Sequence, residues 1–353
     1  MNRKIDFKYG SETHDKYHAT GVLDCYEYAV ANGIKSKLGN EINMYNIFAK
    51  DITFCMAMDK ENNIGWGMSQ HPNPHINATI YENSTLEMLE QFLDNNEIVL
   101  INTLHHEIKF FKYYNTPYST ENGMPIHWLS IVHHDSENLY YVENPDIINP
   151  DNYIYYAGNE TVGVISKEYM KPFFDRYLLC VVVHINFDEP IIFTERLFEM
   201  LQNTVASFEN KNLTNEISEF YGIAALEKMI EICSGSDGVC YNKHTEEFRS
   251  YLVDATRAVF QTRIYMKECL MVLSEDMPAI TKDEIFNAFE PAIETWIMVT
   301  NIFTKKHIRK QPLLDKHMVR YFSELMLYEK QIIECMAKIL DQVNETQPRG
   351  KIT

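Results

Sequence analysis

His127-Trp128-Leu129-Ser130-Ile131-Val132-His133-His134-Asp135-Ser136-Glu137-Asn138-Leu139-Tyr140-Tyr141-Val142-Glu143 decides the fold class of the first half of this chain. Residues 127–133 and 139–143 are strand-like, and Asp135-Ser136-Glu137-Asn138 between them is a turn sequence, so the stretch predicts an antiparallel hairpin. Upstream, Glu97-Ile98-Val99-Leu100-Ile101-Asn102 reads as a buried strand. Downstream, Thr161-Val162-Gly163-Val164-Ile165 and Tyr177 to Ile185 read as further strands. A helical pattern over 24–38, with Asp24 as a possible N-cap and Gly39 as a stop, precedes them, and a short helix begins at Ser84. Between about 47 and 84 the pattern is irregular, with Gly65-Trp66-Gly67 and His71-Pro72-Asn73-Pro74-His75 marking loops. The expectation is α+β, with a largely antiparallel sheet.

From about Thr194 onward amphipathic helical patterns take over at 195–208, 215–233, 244–273, 282–305 and 312–344, and strands are expected to vanish. Thr281-Lys282-Asp283-Glu284 is a capping box that opens one of these helices. A length of 353 residues suits two domains, read as 1–190 and an all-helical domain over 191–353.

Composition narrows the function classes. Hydrophobic residues make up 45% of the chain, enough to bury real cores, and the formal net charge of −18 argues against a general affinity for nucleic-acid phosphate. The same field would draw in cationic ligands such as amines. Met1-Asn2-Arg3-Lys4-Ile5-Asp6-Phe7-Lys8 lacks the apolar core of a secretory signal, and the run Leu178 to Val183 is far too short to span a bilayer, so a cytoplasmic protein without a membrane partner is expected. Seven cysteines (25, 55, 180, 233, 240, 269 and 335) include no C-x-x-C pair, which indicates neither a disulfide framework nor a zinc ribbon. No phosphate-binding glycine loop occurs either, so an acyl substrate would have to arrive already activated rather than be activated by ATP. His106-Glu107 lacks the second histidine of H-E-x-x-H, and neither a metal nor another resident cofactor is expected.

The chemistry-bearing candidates are Cys25, His127 and Asn144, with Asp146 as the alternate to Asn144. A thiol attacks as its thiolate, a form favoured at a helix N-terminus and beside a histidine, and the local sequence gives Cys25 the first condition. His127 would accept the thiol proton and later return one, provided a third residue holds its ring. If the hairpin forms, it brings His127 toward the Asn144–Asp146 end, and the turn register decides which of the two shares its face. The run Thr304-Lys305-Lys306-His307-Ile308-Arg309-Lys310 is strongly basic in an acidic protein. It reads either as a solvated helix end or as a docking patch for an acidic carrier.

Cys25 at a helix start, His127 on a strand and the Asn144-Pro145 turn resemble the papain-like fold of the bacteriocin double-glycine leader peptidases. With Tyr221-Gly222-Ile223-Ala224-Ala225-Leu226-Glu227 opening a helical second half, the layout is more similar to butirosin biosynthesis protein H and its relatives, including the amide-forming branch of closthioamide biosynthesis. That resemblance implies a papain-like catalytic domain over 1–190. It also implies an amide-forming acyltransferase that takes an acyl group from an acyl or peptidyl carrier protein and hands it to a primary amine or diamine, without ATP. Phosphopantetheine would enter only as the arm carried by the donor. Papain-like peptidases usually place Gln six residues before the cysteine, and here Ala19 stands there after His18, so the oxyanion would rest on the Cys25 backbone N–H and a second donor. Asn144 stands where the leader peptidases have Asp and keeps the orienting role. A papain-like peptidase or amidohydrolase is the alternative reading, and a catalytically silent binding protein the second.

Overall fold

The computed structural model describes residues 25–38, 52–59, 64–68, 76–104, 108–109, 126–142, 153–156, 160–174, 180–185, 193–214, 217–235, 246–274 and 280–346. In chain order the first elements are α1 (Cys25–Leu38), β1 (Phe54–Asp59), β2 (Ile64–Met68), β3 (Ile76–Tyr81), α2 (Leu86–Asp94) and β4 (Ile98–Leu104). Next come β5 (Ile126–His134), β6 (Asn138–Val142), β7 (Tyr153–Tyr156), β8 (Glu160–Ser166), α3 (Lys167–Phe174) and β9 (Cys180–Ile185). The last are α4 (Phe193–Ser207), β10 (Lys211–Leu213), β11 (Ile217–Tyr221), α5 (Ile223–Ser234), α6 (Glu246–Leu273), α7 (Lys282–Ile308) and α8 (Met318–Thr346). The chain is α+β, with antiparallel sheets and a helical C-terminal region. It divides into two compact units, one made of 1–48 and 72–191, the other of 49–71 and 192–353.

The first unit is built on a seven-stranded sheet in the order β3-β9-β4-β5-β6-β8-β7, every pair antiparallel. The β5–β6 hairpin forms where its turn sequence predicts, and Asp135 fastens it: Oδ1 accepts from the backbone N–H groups of Glu137 and Asn138, both at 2.8 Å, and Oδ2 from the Tyr140 hydroxyl at 2.6 Å. Central β4 is buried along almost its whole length, and its apolar run Ile98–Ile101 suits a strand covered on both faces. On one face Ala29, Val30 and Ile34 of α1 pack with Ile98, Leu100 and Val183. On the other, Val99, Ile101, Leu129 and Ile131 pack with Leu89 of α2 and with Met170 and Phe174 of α3. Gly33 allows the close approach of α1, since a Cβ there would fall inside the Ile98 side chain and 3.1 Å from Ser130 Oγ.

The second unit joins a four-stranded antiparallel sheet, β10-β11-β1-β2, to the long helices α5 to α8. This corrects the all-helical reading of the second half. Within the stretch 215–233, read as one helical pattern, Ile217–Tyr221 is β11 paired to β1 (Met56 with Phe220), and the irregular stretch 47–84 contains β1, β2 and β3. A fully buried ion pair lies among the helices: Arg263 Nε and Nη2 donate to the two Glu329 carboxylate oxygens at 2.9 and 3.0 Å, and Arg263 Nη1 donates to the Ile52 carbonyl at 2.7 Å. Trp296 Nε1 donates to Glu329 at 2.6 Å, and Phe54 packs edge-on to Trp296 beneath the guanidinium. The capping box at Thr281 and Glu284 is present at the start of α7.

Candidate functional site

Cys25 is the first residue of α1 and is partly buried. From Tyr28 to Ile34 seven consecutive residues are buried, so α1 is covered on all sides, as its apolar and small residues permit. His127 is the second residue of β5, 6% exposed, and its backbone carbonyl accepts a hydrogen bond from Thr103 Oγ1 at 3.0 Å. The first turn of α1 lies on the start of β5: the Tyr26 and Trp128 rings meet edge to face, with centroids 5.4 Å apart. The neighbours of Cys25 and His127 in sequence are therefore in contact.

The side-chain directions are less simple. Successive side chains along a strand point to opposite faces. Trp128 and Ser130 lie on the α1 side, and Leu129 and Ile131 on the side of α2 and α3. By that alternation His127 falls with Leu129 and Ile131, on the face opposite α1. Asn144 and Asp146, the two candidate holders of the imidazole, lie outside the described residues, as do Asp24, Ala19 and His18.

Buried polar groups on α1 and β5 lie outside the sequence motifs. Both side-chain amide atoms of Asn32 and the hydroxyl of Ser130 are buried without a hydrogen-bond partner among the described residues. Buried polar groups are rarely left so. An asparagine inside an apolar helical run and a serine on the inward face of a strand were the available signals.

Of the histidine pair on β5, His134 is tied into the packing of the sheet. A bulge between Ile131 and His133 shifts the register. His134 Nε2 lies 3.0 Å from Asp94 Oδ1 and its Nδ1 3.1 Å from Lys167 Nζ, which is itself 2.6 Å from Glu90 Oε1. An ammonium has only donors, so Nδ1 accepts and Nε2 carries the proton toward Asp94. The tie fastens α2 and α3 to β5. Burial, followed by the neighbouring His134, pushes the His133 imidazole below its ordinary value. Among the described residues no three His, Cys, Asp or Glu side chains converge to hold a metal ion.

Among the other described cysteines Cys180, Cys233 and Cys269 are buried, whereas Cys55 and Cys335 are, like Cys25, partly buried. Burial pushes the Cys180 thiol up to about 11, Cys233 up to about 12 and Cys335 up to about 11, and raises Cys55 as well. Such thiols stay protonated near neutrality and behave as small apolar side chains. Among the described residues no helix is long and apolar enough to cross a membrane. No family model matches the chain, and no curated protein matches it.

Proposed function

We propose that the first unit is a papain-like acyl-transfer domain of the butirosin biosynthesis protein H type, working in the cytoplasm in specialised-metabolite biosynthesis. The observation that carries this reading is the seating of the first turn of α1 on the start of β5, where Tyr26 meets Trp128 and the residues before each of them are Cys25 and His127. A helix buried on all sides that begins at a cysteine supports it further. In the reaction the Cys25 sulfur attacks the carbonyl of a thioester borne by an acyl or peptidyl carrier protein. The bond to the carrier sulfur breaks, and the carrier thiol leaves with the proton that His127 took from Cys25. A primary amine or diamine then attacks the acyl-enzyme, gives a proton to His127 and leaves as the amide, while Cys25 regains its proton. Asn144, with Asp146 as the alternate, orients the imidazole.

The alternation along β5 favours a second reading. With His127 on the face of Leu129 and Ile131, the same fold holds a peptide or a carrier without turning it over. In the first reading the His127 ring must reach the α1 side from the start of the strand.

Intact-protein mass spectrometry separates the two. Wild type, Cys25→Ala and His127→Ala are mixed with short acyl thioesters, with and without a diamine. Acyl transfer requires an adduct on wild type that is missing from Cys25→Ala and is discharged faster by amine than by buffer. Unmodified wild-type protein with every thioester would leave the peptidase or amidohydrolase and the silent binding protein standing, and a peptide-cleavage assay then separates those.

A further inference from the structure

One end of the helical region carries charge opposite to that of the chain as a whole. Residues 305–320, covering the last turn of α7, the link and the first turn of α8, hold Lys305, Lys306, Arg309, Lys310, Lys316 and Arg320 against Asp315, in a chain of net charge −18. Part of this charge is used locally. Lys306 Nζ lies 2.6 Å from Asp315 Oδ2 and 3.2 Å from the Leu313 carbonyl, and Arg320 Nε lies 2.8 Å from Glu324 Oε1. Lys305, Arg309, Lys310 and Lys316 are exposed, and among the described residues no carboxylate pairs with them.

Helix stability explains only part of the cluster. Lys305, Lys306 and His307 occupy the last turn of α7, where cations offset the negative end of the helix dipole. Lys316, His317 and Arg320 flank the opening of α8, where the dipole disfavours cations, and the first turn of α8 has no acidic residue. Lys310 holds the left-handed backbone, φ 53°, that usually selects glycine just past a helix end. A long cation is therefore kept at a position where the backbone prefers no side chain. Ile308, 73% exposed, stands among these charges, giving an apolar contact inside a charged rim.

We propose that this end of α7 and α8 docks the acidic face of a carrier protein, with Lys305, Arg309, Lys310 and Lys316 facing its carboxylates around Ile308. The identity of the partner rests on the acyl-transfer reading; the charge and exposure of the surface do not. An extended polyanion such as duplex nucleic acid or an anionic bilayer would meet the acidic remainder of the chain as well as this patch, so a small partner with a local acidic face fits better.

The test titrates full-length wild type and the Lys305→Glu/Arg309→Glu/Lys310→Glu variant into a fluorescently labelled holo acyl carrier protein, at low and at high salt. The expected result is a wild-type complex that weakens as salt rises, and a variant weaker by about tenfold or more at low salt. Equal affinity of the two proteins overturns the proposal, as does tighter wild-type binding to phosphatidylserine-containing vesicles or to a DNA duplex than to the carrier. Loading of wild-type Cys25 from a small free thioester needs no docking and is read separately. Its failure alone would count against the acyl-transfer reading and leave the docking result standing.

Discussion

Replacing Glu329 by alanine should cripple the second unit although Glu329 lies far in sequence from any candidate catalytic residue. Its carboxylate accepts from Arg263 Nε and Nη2 and from Trp296 Nε1, and both ionised side chains are fully buried. Its removal strands a guanidinium out of water, at about 3–5 kcal/mol for a broken buried pair. The indole N–H left without its partner adds about 1 kcal/mol more. Against a typical total of about 5–15 kcal/mol, that is a large share of the stability. For a unit of this size each kcal/mol moves the melting temperature by about 2–4 °C, so a fall of roughly 8–24 °C is expected. Urea unfolding followed by tryptophan emission and by circular dichroism reads the change, with an unaltered m-value identifying it as a stability effect. Arg263→Met combined with Glu329→Leu should recover most of the loss, because the cost lies in the orphaned charge rather than in the missing attraction. A Glu329→Ala protein within about 1 kcal/mol of wild type, or a double variant no better than the single, would refute the reasoning.

Other outcomes follow from single contacts. Gly33→Ala puts a methyl group into Ile98 and should cost about 1–3 kcal/mol in chemical denaturation of the first unit, unless α1 shifts off the sheet. Asp135 is held below the usual carboxylate range by the Tyr140 hydroxyl first, then by the Glu137 and Asn138 N–H groups. Its folded value is depressed, so its contribution is present above the unfolded value of about 4 and is lost as pH falls through the folded value. The stability gap between wild type and Asp135→Ala should therefore be full at neutral pH and close in strong acid. Thr281→Ala removes one half of the capping box and should cost about 1 kcal/mol, read by thermal melting. In native protein treated with iodoacetamide near pH 8, peptide mapping should find Cys25 alkylated before Cys180 and Cys233, which should label only in denaturant.

What was legible in the sequence was local. The hairpin of β5 and β6 follows from its turn chemistry, α1 from its periodicity, and the start of α7 from the Thr281 and Glu284 pair, each written within a few residues. What failed was pairing across long separations. β11 is five residues, Ile217–Tyr221, directly before α5, and its apolar spacing suits a helix until β1 and β10 are beside it. β2, with Gly65, Trp66 and Gly67, carries loop-like composition, and β1 is a short apolar run, Phe54–Met58, whose strand character comes from pairing with β2 and β11. Cys25 and His127 were readable as residue types in a suggestive order. The face on which His127 stands is set by the register of β5 against β4, Thr103 opposite His127, which periodicity does not encode.

The second unit takes its chain from two stretches, 49–71 and 192–353, with residues 72–191 of the first between them, and this has a consequence in time. As the chain leaves the ribosome, β1 and β2 emerge early and can pair as a hairpin, but β11 follows only after the whole sheet of the first unit. At typical synthesis rates that interval is on the order of ten seconds, during which Phe54 and Met56 have nothing of their own core to pack against. The nascent chain is thus most exposed to aggregation or chaperone capture in that window. A cut near residue 191 would make the condition permanent: one fragment would keep a hairpin without its sheet, and the other would keep Arg263 without the Ile52 carbonyl that anchors it.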